Sequence, residues 1–363
     1  QNNKKMNKNT QLIHSKGVSL WLDNITRKMI DDGTLKQYIQ ELGITGLTSN
    51  PTIFENAIAK TNDYNDAIQQ LASRDMTDED LFFNLAIDDI QRAADMFRPV
   101  FERTNGLDGF VSIEVSPLLA YKTEKTLAAA RQIFKKVNRP NAFIKIPGTA
   151  EGLPAIEKAI AEGIPVNVTL LFSPEQYQLA ATAYLKGIRQ RIAKGLNPDV
   201  RSVASVFVSR WDKAVATQLP ETLQNKLGIA VMQKTYQAYL DFLGSTEVQT
   251  VMNAGVFPQR LLWASTGTKD PKASDILYVK ELVAPYIVNT IPENTLLAFA
   301  DHGEVKTLMS ENLSQADETL QKMADYKIDD KQLAIKLQRE GAEAFIQSWE
   351  NLIEVIREKR MQL

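Results

Sequence analysis

The sequence predicts an α/β fold, a single (β/α)8 barrel of the TIM type with additional helices, and three observations carry that prediction. Short apolar runs alternate with helical stretches along most of the chain, the order expected of a closed parallel barrel. One of these runs, Ala142-Phe143-Ile144-Lys145-Ile146-Pro147, is apolar on both faces, as a strand with helices outside it and packed side chains inside must be. The length of 363 residues, 44% of them hydrophobic, suits two average domains or one large barrel. With no repeat, low-complexity linker or clear boundary in the chain, one domain is the simpler reading.

The elements follow in order. Residues 1–16 begin polar and basic and are expected to form a flexible tail ahead of the barrel at 17–363. Ser19–Asp23 reads as a strand ending in an acid, with helical stretches after it to about Leu42. Gly46–Asn50 reads as a second strand, closed by Pro51, which cannot donate to a sheet. From Phe83 the spacing through Ile87, Ile90, Ala94, Phe97 and Phe101 alternates four and three, the mark of one buried helical face. Thr77 is placed to cap this helix, and Pro99 to kink it near its end.

Strand and helix then alternate closely: Phe110–Val115 strand, Lys122–Val137 helix, Ala142–Pro147 strand, Ala150–Glu162 helix, Pro165–Leu170 strand. Ser173-Pro174-Glu175-Gln176 combines a capping serine, a first-turn proline and a glutamine at the capping-box position, so a helix starts there. Ser202–Val208 and Arg260–Thr266 are strands around a long helical region, and Ile287–Ile291 is the weakest candidate of the eight. From about Asp329 onward the chain is helical, with Phe345, Trp349, Leu352 and Ile356 as its apolar stripe.

Composition excludes several kinds of chemistry. A net charge of −2 gives no reason to expect nucleic acid or an anionic membrane as partner, although a local basic site for a phosphate remains open. The absence of cysteine removes disulfides, thiolate metal sites and cysteine nucleophiles. His14 and His302 are the only histidines, which leaves no His-rich metal site and little support for a Ser-His-Asp mechanism. The start lacks the apolar core of a secretory signal, and no run is long enough to span a bilayer, so a cytoplasmic protein is expected.

Lys145 needs an explanation. Burial strips an ammonium of its hydration and favours the neutral amine, the form that attacks a carbonyl to make a Schiff base. The plainer alternative is a strand-end lysine that reaches out to solvent. Its neighbours decide between these. Active sites of such barrels are built at the C-terminal ends of the strands. The successive strand ends present Asp23; Thr48 and Asn50; Ser112 and Glu114; Lys145; Asn167 and Thr169; Ser205; and Ser265. Paired residues are spaced by two and so share a face. Each has an ordinary structural use, as turn, cap or solvated end. Together they bring two carboxylates, two amides and a lysine to one pocket, the equipment for carbonyl chemistry.

Three stretches, Gly46-Leu-Thr-Ser-Asn-Pro-Thr52, Asn141-Ala-Phe-Ile-Lys-Ile-Pro-Gly-Thr149 and Asn167-Val-Thr-Leu-Leu-Phe-Ser173, resemble the motifs of the transaldolase family, in the right order, within a match from about Gly17 to the C-terminus. That family uses a class I aldolase-type barrel with neither metal nor cofactor. The resemblance implies transfer of a dihydroxyacetone unit from a ketose phosphate (fructose 6-phosphate or sedoheptulose 7-phosphate) to an aldose phosphate (erythrose 4-phosphate or glyceraldehyde 3-phosphate), in the non-oxidative pentose phosphate pathway. It implies sugar phosphates as partners and a monomer or homodimer.

By the same resemblance Lys145 is the Schiff-base nucleophile and Asp23 the acid/base for the C4 hydroxyl. Glu114 acts on the carbinolamine through a water held with Thr169. Asn50 and Asn167 hold the hydroxyls of the three-carbon unit, with Thr48 and Ser112 beside them. Arg210 matches the phosphate arginine, and Ser205, Phe207 and Ser265 fall on pocket positions. Where better-known members carry a second arginine this chain has Gly267, and Lys269 is expected to supply that charge, as in a longer bacterial branch.

Two other readings compete. Fructose-6-phosphate aldolases release free dihydroxyacetone with nearly the same lysine chemistry, but they are much shorter and tend to carry a tyrosine where this chain has Phe207. A non-catalytic sugar-phosphate-binding barrel would need no nucleophile. The C-terminal helix around Trp349 is expected to lie across part of the barrel mouth.

Overall fold

A computed structural model describes residues 5–309 and 313–363. Among these, eight parallel strands close into a barrel in chain order: β1 (Val18–Asp23), β2 (Gly46–Thr48), β3 (Val111–Glu114), β4 (Ala142–Pro147), β5 (Val166–Leu171), β6 (Ser202–Phe207), β7 (Arg260–Ala264) and β8 (Ile287–Ile291). Pairing of Val18 with Ile287 through Leu22 with Ile291 shuts the ring, so the weakest strand of the sequence reading is the one that completes it. With helices outside and side chains inside, the strands are buried along their length. Only Asp23 and Glu114, each the last residue of its strand, are less than fully buried among the described strand residues.

The interior is filled from below. Phe143 stacks on Phe110 with ring centroids 4.0 Å apart, and Trp21 packs against Phe143 at 6.2 Å. Beneath them Asp108 accepts from Ser19 Oγ at 2.6 Å and Trp21 Nε1 at 2.8 Å, while Arg260 Nη2 donates to the same Ser19 oxygen and to the Ile287 carbonyl. Most of the polar groups there find partners, as the low dielectric demands, although Arg260 Nε is buried without one among the described residues. Side chains alternate along a strand, so Lys145 sits one layer above Phe143, on an aromatic floor.

Local signals in the sequence account for the helix starts. Thr77 caps the helix Asp78–Arg103 by accepting from Asp80 N, and that helix continues through Pro99. Ser173 and Gln176 form the full capping box at the start of the helix Pro174–Ala193. Asp329 caps the C-terminal helix Asp330–Gln362, in which Phe345, Trp349, Leu352 and Ile356 are all buried.

Most strand ends shift by a residue or two from the sequence reading, and two departures have a specific cause. The second strand ends at Thr48, because Asn50 turns out of the sheet to cap the helix Pro51–Ala59, its side chain accepting from Ile53 N at 2.9 Å. The expected flexible tail is in large part folded: Lys8–Ser15 is a helix capped by Asn7, with Thr10 and Ile13 buried. Asn7 Nδ2 and Asn9 Nδ2 both donate to the Ala300 carbonyl, at 2.9 and 3.0 Å. Two inward residues three positions apart suffice to dock such a helix, and their polar neighbours hide the signal. The first four residues of the tail lie outside the described residues.

Replacing Ser173 with alanine removes one side of the capping box and leaves the Gln176 N–H without its side-chain partner. Equilibrium denaturation is expected to show a loss of about 1 kcal/mol.

Candidate active site

A cavity of about 210 Å3 opens at the C-terminal ends of the strands. Asp23, Thr48, Asn50, Lys145, Thr169, Ser205, Phe207, Arg210, Ser265 and Lys269 all line it. Ser112, Glu114 and Asn167 stand behind this wall and are joined to it by contacts.

Lys145 is 6% exposed. Its Nζ donates to the Ser49 carbonyl at 2.9 Å and lies 3.7 Å from Glu114 Oε1. The sheet register creates this meeting, since Glu114 pairs with Lys145 and Lys145 with Asn167 across β3, β4 and β5. Residues level in adjacent parallel strands project the same way. Asn167 is held at both ends of its amide: Nδ2 donates to Ser112 Oγ at 3.2 Å, and Oδ1 accepts from Ser205 Oγ at 2.7 Å. On the opposite wall Asp23 Oδ1 accepts from Thr48 Oγ1 at 2.9 Å, and Thr48 Oγ1 is 2.6 Å from Thr290 Oγ1.

Burial raises both carboxyl groups above the usual carboxylate range. For Asp23 the positive charge of Lys145 opposes this most, followed by the Thr48 hydrogen bond and the charge of Lys269. For Glu114 the Lys145 charge again opposes the desolvation, while Asp23 adds to it. Two acids thus share one ammonium in a site too dry to ionise both freely. Both Glu114 oxygens and Thr169 Oγ1 are buried without a hydrogen-bond partner among the described residues. Such atoms are costly unless a ligand or water satisfies them.

The other side of the cavity is cationic. Arg210 stands near the start of the helix Ser209–Val215, with its guanidinium 5.3 Å from the Phe207 ring and 5.4 Å from the Phe345 ring. Neither Arg210 nor Lys269 has an ion-pair partner among the described residues, and burial disfavours the Arg210 charge. An anion in the cavity would offset that penalty. Ser265, in the left-handed region at φ 56, lies 2.7 Å from Ser209 through their hydroxyls, tying the ends of β6 and β7 together. A Cβ at Gly267 would come 3.1 Å from Pro292 Cγ, so a larger residue there requires Pro292 to give way. Lys269 instead brings the second charge to the cavity wall.

Several participants were not singled out from the sequence. Thr290 comes from the eighth strand, and the Ser49 carbonyl carries no side-chain signal at all. Phe345 belongs to the expected stripe, but it, and not Trp349, reaches the mouth. Trp349 packs to one side against Phe82 and Phe83, at 5.1 and 5.7 Å. Neither histidine joins the site: His14 contacts the Val18 carbonyl, and His302 pairs with Asp275 and Asp301. Among the described residues no group of three or more His, Asp or Glu side chains is placed to hold a metal ion, and no helix is long and apolar enough to cross a membrane.

The raised Glu114 carboxyl has a measurable consequence. A carboxyl that binds its proton more tightly when folded contributes stability at low pH, and that contribution is lost as pH rises through the folded value. The Glu114→Gln protein, neutral throughout, is therefore expected to melt higher relative to the parent at about pH 8 than at about pH 4. Parallel thermal melts at the two pH values check this; a difference that grows toward acid would contradict it.

The family model described as transaldolase/fructose-6-phosphate aldolase matches residues 20–356. A protein from Saccharopolyspora erythraea named transaldolase is 42% identical over 360 residues, which cover 97% of this chain and 98% of that one. A transaldolase from Thermobifida fusca is 42% identical, covering 96% and 97%, and a protein named transaldolase 2 from Nostoc punctiforme is 40% identical over 96% of each chain. This chain belongs to the transaldolase/fructose-6-phosphate aldolase family.

Proposed function

We propose that this barrel is a transaldolase that moves a dihydroxyacetone unit from a ketose phosphate to an aldose phosphate through a Schiff base on Lys145. The observation that carries the reading is Lys145, a residue 6% exposed whose amine lies 3.7 Å from Glu114, in a cavity whose far wall holds Arg210 and Lys269. A buried amine between two high-pKa acids is equipped to add to a ketone and to exchange the protons of that addition.

In this reading Lys145 Nζ attacks the C2 carbonyl. Glu114, acting through a water held with Thr169, moves the protons as the carbinolamine forms and loses water. Asp23 takes the C4 hydroxyl proton, the C3–C4 bond breaks, and its electron pair passes into the iminium to leave an enamine on Lys145. The aldose phosphate departs, an acceptor aldehyde takes its place, and the steps run in reverse. Asn50, whose amide oxygen is committed to the Ile53 cap, offers its NH2 to a substrate hydroxyl. Asn167 is locked by Ser112 and Ser205 and so holds its position through the cycle. Arg210 and Lys269 bind the phosphate, with Ser265 at the same end. The reading carries with it a cytoplasmic monomer or homodimer.

An aldolase that releases free dihydroxyacetone shares this lysine chemistry. Phe207 weighs against it here: the ring packs against Arg210 and brings no hydroxyl to the pocket.

Borohydride trapping with fructose 6-phosphate, followed by peptide mass spectrometry, is expected to find a reduced three-carbon adduct on Lys145. Active, folded protein without that adduct would remove the Schiff-base mechanism. Arg210→Ala is expected to raise KM for fructose 6-phosphate by roughly 10-fold or more, the usual worth of a charge-assisted bond to a phosphate. An unchanged KM would place the phosphate elsewhere.

A further inference from the structure

The strand that carries Asn167 and Thr169 contains an irregularity beside the site. In β5, Val168 pairs with Ala204 and Leu171 with Val206, so three steps on β5 match two on β6. The extra residue makes a bulge, and Leu170 within it adopts φ 60, a left-handed conformation that a leucine rarely takes. On the β4 side the ladder still holds at Thr169, whose carbonyl accepts from Gly148 N at 2.8 Å. Beyond that point a single side chain takes over. Gln338, on the C-terminal helix, donates from Nε2 to the Leu170 carbonyl at 2.9 Å and to the Gly148 carbonyl at 3.1 Å.

The Gln338 amide thus bridges the two carbonyls just beyond the last β4–β5 rung, one of them at the centre of the bulge. It ties Gly148, just past the strand bearing Lys145, to Leu170, next to last in the strand bearing Thr169, and both to the helix that roofs the mouth. Three residues after Gln338, Gly341 permits this approach, since a Cβ there would stand 2.9 Å from Leu170 Cδ2 and 3.1 Å from Arg210 Nη1. Bulges beside active sites commonly re-aim a side chain. Here the side chain is Thr169, whose Oγ1 is buried at the cavity wall with no hydrogen-bond partner among the described residues.

We propose that Gln338 is a positioning residue for the reaction, holding the Leu170 bulge so that the Thr169 hydroxyl faces the Lys145–Glu114 pair. The inference rests on the Schiff-base reading given above. Gln338 touches neither substrate nor reacting atoms; it acts through the backbone on either side of Leu170. Its loss frees Leu170 to relax toward ordinary β geometry, which turns Thr169 away. The phosphate end is untouched, because Arg210 is held by Phe207 and Phe345. The effect therefore falls on carbinolamine formation and dehydration and spares phosphate binding.

A double-mutant cycle on the full chain tests this, with Gln338→Met, Thr169→Ala and the combined variant. Steady-state kinetics with fructose 6-phosphate and erythrose 4-phosphate, and the rate of borohydride-trappable adduct formation, are the readouts. Gln338→Met, similar in volume but without N–H donors, is expected to lower kcat and the adduct rate by about 10-fold with KM for fructose 6-phosphate within about twofold. The combined variant is expected to be no slower than Thr169→Ala alone. Gln338→Lys, which restores donors, is expected to recover most of the rate. If Gln338→Met does not fold, Gln338→Glu takes its place in the same cycle, since it keeps the shape and loses the donors.

Wild-type turnover in the Gln338 variant overturns the proposal. So does a loss that adds in full to that of Thr169→Ala, or one confined to KM. Failure of the parent protein to form the adduct would instead overturn the Schiff-base reading, so the two failures are distinct.

Discussion

A lysine ammonium held away from water must be compensated by charge and hydrogen bonds, and much of the barrel mouth follows from that requirement at Lys145. The Ser49 carbonyl accepts its proton at 2.9 Å, and Glu114 answers its charge at 3.7 Å. These contacts exist because three adjacent strands are in register and because the chain after β2 turns in over the mouth. The arrangement is deliberately incomplete in energetic terms. Both acids are pushed up by burial, so the ammonium offsets the desolvation of neither fully.

The cavity is also divided by charge. Acids and lysine occupy the side built by β1, β3 and β4, while Arg210 and Lys269 stand after β6 and β7. In the proposed reading a phosphorylated sugar lies between them, its anion toward the two cations and its carbonyl end toward the amine. The Phe207 and Phe345 rings, 6.4 Å apart and edge to face, both lie against Arg210, dry its surroundings and restrict its rotamers. The C-terminal helix contributes one of those rings, Phe345, and the Gln338 amide as well. One helix therefore contacts both Arg210 and the backbone beside Thr169 and Lys145.

Much of the fold was legible because its signals are local. The apolar run around Lys145 had the same bounds in the sequence reading and in the structure, and Ser173 and Gln176 formed the capping box that their spacing indicated. A period of two along the strands placed Glu114, Lys145 and Asn167 on the inner face without knowledge of their neighbours. The misreadings have an equally physical origin. Asn50 reads as the end of a strand because proline follows, yet the same Asn-Pro pair is a helix start, and the side-chain cap to Ile53 decides between them. The N-terminal residues looked like a free tail because only Thr10 and Ile13 turn inward.

By itself the sequence determined which residues could reach the barrel mouth and with what chemistry, since strand alternation, caps and burial are written within a few positions of one another. Tertiary structure alone decided what closes over that mouth and what docks at the other end of the barrel. Gln338 meets Leu170 across 168 positions, and Asn7 meets Ala300 across 293. Contacts at such separation depend on where the closed ring of strands delivers each helix, and a chain read in order carries no pattern for that. The Leu170 bulge belongs to the same class: a leucine has no local reason to adopt φ 60, and the neighbours that hold it there come together only when the barrel has closed.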